Sequence, residues 1–333
     1  MKSSTWFHAA KVRGMKLYLG IDGGGTRTRS ILVDARGRIV GEGEAGPSNY
    51  NNVGLAGAGR SLRAATEAAW AQAGQPFAPA AAAYLGLAGV KASGDIARLT
   101  ALAENAGLAP AGQVTVANDL HNALTGGLAG RPGIALIAGT GTNCLGRDAS
   151  GAAFMCGGWG WLLDDVGGGI GIALGGLRAA TRAADGRAPA TGLLPAALAF
   201  FGLSEANELL ERLYVRTCPP EELAAFSTVV TREAASGDAT ALAVLQNGAG
   251  ALAELVAGAA RQLAFPDGPE VVILGGCARS GPPYQPLIEA AIRVAVPRAR
   301  LVEPAYSATH GAALNALRAA GIAPLPALRF PKS

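Results

Sequence analysis

"LYLGIDGGGTRTRSILVDARGRIVGEGEAG", residues 17–46, runs an apolar segment into three consecutive glycines. In a dinucleotide-binding unit such a loop opens a helix, and an acidic residue follows about 20 positions later. Here Thr26, Arg27, Thr28 and Arg29 follow instead, leading into Ile31, Leu32 and Val33, a turn at DARGR, and the run IVGEGEAG. The glycines therefore join two strands of a meander. The G-x-G-x-x-G spacing is also not met.

The same order returns about 117 positions later in "IALIAGTGTNCLGRDASGAAFMCGGWG", residues 134–160. An apolar strand reaches the turn Gly139, Thr140, Gly141 and Thr142; a second strand, a turn at RDASG and a third strand follow. Ala-rich, helix-compatible stretches come after each copy, LAGAGRSLRAATEAAWAQAG and GIALGGLRAATRAAD. The pattern predicts a duplicated α/β domain. Two glycine hairpins, one per half, are expected to face each other across a cleft and grip one polyphosphate.

With 333 residues, 50% hydrophobic and 16% charged, the chain is long enough for two globular domains. The net charge of +4 includes Lys2, Lys11 and Arg13 of a leading segment without acidic residues; without them the remainder carries +1. That excludes a polyanion-binding surface as the dominant feature, so no nucleic-acid partner is expected. The leader MKSSTWFHAAKVRG lacks the apolar core of a secretory signal, and no stretch combines about 20 apolar residues with freedom from Gly and Pro. The expectation is a cytoplasmic protein without a membrane partner. Cys144, Cys156, Cys218 and Cys277 form no C-x-x-C pair, which reads as four reduced, mostly packed thiols.

Further on, EVVILGGCARSG, residues 270–281, reads as a buried parallel strand breaking at Gly275 and Gly276, where a ligand approaches the backbone. SATHGAALNALRAAG reads as a helix whose Gly311, Ala312 and Ala313 permit close packing. Residues 176–268 are mostly Ala- and Leu-rich helix with no evident chemistry.

Taken in order, GIDGGGTRT, GPSNYNNVG, ANDLHNAL, IAGTGTNC, CGGWGWLLDDVGGG and VILGGCARSG resemble the N-acetylglucosamine kinase and BadF-type ATPase group of the actin-like sugar kinases, from Met15 onward. The resemblance implies two ribonuclease-H-like domains, residues 16–130 and 131–333 after an N-terminal extension 1–15, with the final helix free to pack back on the first domain. It implies ATP and Mg²⁺ as cofactors, a sugar and ATP as small-molecule partners, a homodimer as an open option, and phosphoryl transfer to a sugar hydroxyl. N-acetylglucosamine at O6 is the first choice; glucosamine or several hexoses are the alternative.

Within that resemblance Asp22 is the magnesium-linked carboxylate. Backbone amides of Gly24, Gly25, Gly139 and Gly141, with Thr26 and Thr140, are phosphate donors. Gly275, Gly276 and Ser280 complete the nucleotide site. Asp119 is the general base toward the sugar hydroxyl, although Asn118 or Asp119 would also serve as an ordinary N-cap. Asn49, Thr142, Asn143, Gly158, Trp159, Gly160 and Asp165 match sugar-contacting positions. Asn49 and Asn143 read equally as turn residues, and Trp159 and Trp161 as core aromatics, Trp161 the more so. The chain departs from the family pattern at Val166, where many relatives carry Glu, and at Asn51, where the animal N-acetylglucosamine kinases carry Trp. An activator ATPase with an iron-sulfur cluster and a non-enzymatic sugar sensor are the two competing classes. The four cysteines supply no compelling cluster set for the first.

Overall fold

The computed structural model describes residues 14–216 and 218–330; the predicted extension, up to residue 13, lies outside them. The elements, in order, are β1 (Leu17–Gly23), β2 (Thr28–Asp34), β3 (Ile39–Ala45), α1 (Tyr50–Gln72), β4 (Ala82–Leu87), α2 (Ser93–Asn105), β5 (Val114–Asn118) and α3 (Leu120–Gly127). Then come β6 (Gly133–Ala138), β7 (Thr142–Arg147), β8 (Ala153–Gly157), α4 (Gly169–Ala184), α5 (Leu193–Phe201) and α6 (Glu208–Leu210), which runs into a π-helical turn. The chain continues through α7 (Pro220–Ala235), α8 (Ala239–Gln262), β9 (Glu270–Leu274), α9 (Tyr284–Ala295), β10 (Arg300–Val302) and α10 (Ala308–Ala319).

The chain divides into two units. The first comprises residues to Arg131 together with Pro304 onward, and the second runs from Pro132 to Glu303. The expected second domain, 131–333, thus stops at Glu303, and α10 groups with the first unit.

In the first unit the sheet order is β3-β2-β1-β4-β5, antiparallel within the meander and parallel from β1 onward. Strand alternation divides β1 between two cores. Leu17, Leu19 and Ile21 join Leu62, Trp70 and Leu99 on one face, while Tyr18 joins Leu314 and Leu317 on the other. Burial on both faces explains the continuous apolar run of β1. Gly20 is required by packing, because a Cβ there would collide with the backbone of Ala312 and Ala313 in α10.

The second unit repeats this order as β8-β7-β6-β9-β10, with the same change from antiparallel to parallel at β6. The fold is α/β with two five-stranded mixed sheets. Its core gathers Ile134, Leu136, Phe226, Val230, Leu252, Val256 and Tyr284. By length and composition α8 is apolar enough to cross a membrane, and 44% of that window is buried. Its Leu245, Leu252 and Val256 belong to the core of this unit. Of the four thiols, Cys144 is buried and the other three are half-buried; Cys144 of β7 stands opposite Cys156 of β8.

Candidate active site

In the first unit β1 and β5 run parallel with β4 between them, so their C-terminal ends lie on one edge of the sheet. This is the edge where open α/β sheets bind ligands. Asp22 is the penultimate residue of β1, and Asp119 follows the last residue of β5. Both line a cavity of about 280 Å³ walled by the glycine turn Gly23–Arg27 and by Arg29. The turn is closed by Gly24 N–H donating to Arg27 O at 2.9 Å, while Gly24 O accepts from Ser48 and Asn49 N–H. Gly25 and Thr26 are left at the exposed tip.

Asp119 does not cap α3. Asn118 does so: its Oδ1 accepts from Leu120 N–H at 3.0 Å, and its Nδ2 donates to Val90 O. The Asp119 side chain makes no cap bond and remains available to the cavity. Burial first, and the neighbouring Asp22 second, push its carboxyl up to about 6 from an ordinary value of 3.8. Burial likewise raises Asp22, against the amide of Asn122 and the charges of Arg29 and Arg27.

The second glycine turn is built differently. Gly139 N–H donates to Gly141 O, while Gly139 O and Thr140 O accept the N–H groups of Gly169 and Ile170 at the start of α4. Gly141 and Gly168 touch backbone to backbone, so a Cβ at Gly168 would stand 2.9 Å from Gly141 C. Asp165, buried and at φ 62°, accepts from both the backbone N–H and the Oγ1 of Thr142, each at 2.8 Å. One of its oxygens is therefore committed to holding the turn.

Beside this turn lies a cavity of about 340 Å³ lined by Gly139, Thr140, Gly169, Gly276, Cys277, Ser280 and the α7 residues Ala224, Ala225, Ser227, Thr228 and Thr231. Gly275 packs on β6: at φ 97° it leaves no room for a Cβ against the Ala138 backbone. The α7 residues lie in the region that showed no chemistry in the sequence. Their signal is a face of small and hydroxyl side chains at positions 224, 227, 228 and 231, one helical stripe.

The remaining predicted residues fall in two places. Asn49 caps α1, accepting from Asn51 N–H at 3.1 Å, and Asn51 Nδ2 reaches Gly89 O. In the second unit the Asn143 amide rests against Gly158, whose Cβ would collide with it. Gly160 follows in the same loop, with positive φ. Trp159 is 73% and Trp161 45% exposed. Neither is a core aromatic, which corrects the alternative reading of both. Their loop turns through Gly157, Gly158 and Gly160 and directs the side chains outward.

The sequence matches the BadF/BadG/BcrA/BcrD ATPase family over residues 19–316. It is 30% identical over 235 residues to the N-acetylmuramic acid/N-acetylglucosamine kinase of Clostridium acetobutylicum, covering 71% of this chain and 76% of that protein. It is 27% identical to the N-acetyl-D-glucosamine kinase of Dictyostelium discoideum, covering 91% and 98%. A crystal structure from Chromobacterium violaceum whose proposed assignment is N-acetylglucosamine kinase superposes with a TM-score of 0.66 at 27% identity, covering 91% of this chain and 99% of that one. With the duplicated sheets and glycine turns in place, the chain belongs to the BadF/BadG/BcrA/BcrD ATPase family.

Proposed function

We propose that this protein is an ATP-dependent kinase that moves the γ-phosphoryl group to a hydroxyl of an amino sugar or hexose, with N-acetylglucosamine as first substrate and O6 as acceptor. The observation that carries the reading is the uncapped Asp119 carboxylate beside Asp22 in a glycine-walled cavity. A group raised to about 6 accepts a proton near neutral pH, as a general base requires. Asp119 takes the proton of the attacking hydroxyl, while Gly24, Gly25 and Thr26 donate to phosphate oxygens. Gly139, Thr140 and Gly141 do the same in the second unit, and the cavity bounded by α7, Gly276 and Ser280 receives the nucleoside.

Asp22, a hard oxygen donor on the wall of this cavity, fits a magnesium ion, which is commonly held by one or two carboxylates plus substrate phosphates. Bound there, it would neutralise charge on the phosphates. Asn49, Asn143, Gly158, Trp159 and Gly160 are assigned to the sugar, and Asn51 in place of Trp widens the choice to glucosamine and other hexoses. The reading takes sugar and ATP as partners, in the cytoplasm, with neither nucleic acid nor membrane. A homodimer would be read from the mass in solution.

The test is ADP release with N-acetylglucosamine, glucosamine, glucose, N-acetylmannosamine and no sugar. Turnover should depend on one or more of the sugars. A rate that no sugar changes would overturn the reading.

A further inference from the structure

We propose that Asn122 is a positioning residue for the cation site: its side-chain amide fixes the carboxylate of Asp22 against the helix that carries Asp119. The proposal rests on the kinase reading only for what the cation serves. Asn122 lies one helical turn beyond Asp119 on α3 and is fully buried. A buried amide is costly unless it is hydrogen-bonded. Here Nδ2 donates to Asp22 Oδ1 at 3.0 Å, to Ile21 O at 3.1 Å and to Gly86 O at 3.4 Å.

Asp22 and Gly86 are partners in the β1–β4 register, and a Cβ at Gly86 would collide with the amide. The sheet thus leaves a socket for this side chain. Asn122 Oδ1 finds no partner among the described residues, so the amide is aimed by its donor end alone. It holds Asp22 Oδ1 and leaves Oδ2 for the cation. Because the donor is neutral, it orients the carboxylate without cancelling its charge, as Lys or Arg would. The same amide also ties α3 to the carbonyls of β1 and β4, so the variants are read by metal affinity rather than by stability.

Groups that orient a metal-binding carboxylate typically contribute 10–100-fold in metal affinity. The experiment titrates Mn²⁺ into the full-length protein with ADP present, reading free Mn²⁺ by electron paramagnetic resonance. The parent is compared with Asn122→Ala and Asn122→Leu, the latter filling the volume of the amide. Both variants should bind Mn²⁺ about tenfold more weakly or worse. Their affinity for ADP without metal should be unchanged, and the Mg²⁺ needed for half-maximal turnover should rise with no change in the sugar KM. In the parent, Mn²⁺ should broaden the Asn122 side-chain amide resonance, a reading that needs no variant.

Mn²⁺ affinity within twofold of the parent in a cooperatively melting variant overturns the proposal, as does an unbroadened Asn122 amide. A parent that binds Mn²⁺ but shows no sugar-dependent ADP release sinks the kinase reading and leaves this one standing.

Discussion

The two glycine turns come from the same repeat of strand, turn and strand, yet their carboxylates are put to opposite uses. In the first unit Asp119 makes no cap bond, and both Asp119 and Asp22 are pushed toward the protonated state, principally by burial. In the second, Asp165 is bonded twice to Thr142, and the turn's carbonyls are bonded to the start of α4. One unit leaves Asp119 lining a cavity; the other uses Asp165 to hold its turn. The difference arises after the third strand. The first unit proceeds directly into α1 through Asn49, whereas the second inserts the loop up to Gly168, which carries Asp165 back onto the turn.

The comparison predicts that the largest stability effect lies in the second unit. Asp165→Ala strips the buried N–H and Oγ1 of Thr142 of their acceptor and should cost about 3 kcal/mol. Asp165→Asn, which retains an acceptor and tolerates positive φ, should cost much less. Urea denaturation reads both; equal losses would show that the two bonds are not what matters. In the first unit Asn118→Ala should cost about 1 kcal/mol through the lost cap, and Asp119→Ala should cost nothing by that route. The reverse ranking would return the cap to Asp119.

A further effect is in pH dependence. Asp119 has its folded pKa raised to about 6 from 3.8, so the folded state holds that proton more tightly than the unfolded state. Its contribution to stability is therefore present at low pH and lost as pH rises from about 4 to about 6. In metal-free protein Asp119→Asn should gain on the parent across that window and keep a constant margin above it. A margin independent of pH would mean that Asp119 titrates normally.

Much of this was legible in the chain. The meanders, both glycine turns, β5, β9 and α10 follow from apolar runs broken by Gly, Asp and Asn, which are local signals. β4, in the stretch AAYLGL, was not, because Ala and Gly have low strand propensity and only its complete burial between β1 and β5 makes it a strand. The cavity-lining stripe of α7 and the bond from Asp165 to Thr142, 23 positions away, depend on tertiary placement that spacing does not encode. For the same reason Asn118 and Asp119 could not be told apart as the cap until the direction of each side chain was known.

The central claim is that Asp119 of the first unit acts on the substrate. The most direct measurement is kcat for Asp119→Asn with saturating ATP, Mg²⁺ and the preferred sugar, taken alongside its melting temperature. Removing a general base typically costs about 100-fold to 10,000-fold, so kcat should fall by that order with ATP binding and melting little changed. Turnover within a few-fold of the parent would contradict the account and make Asp165 the next carboxylate to test.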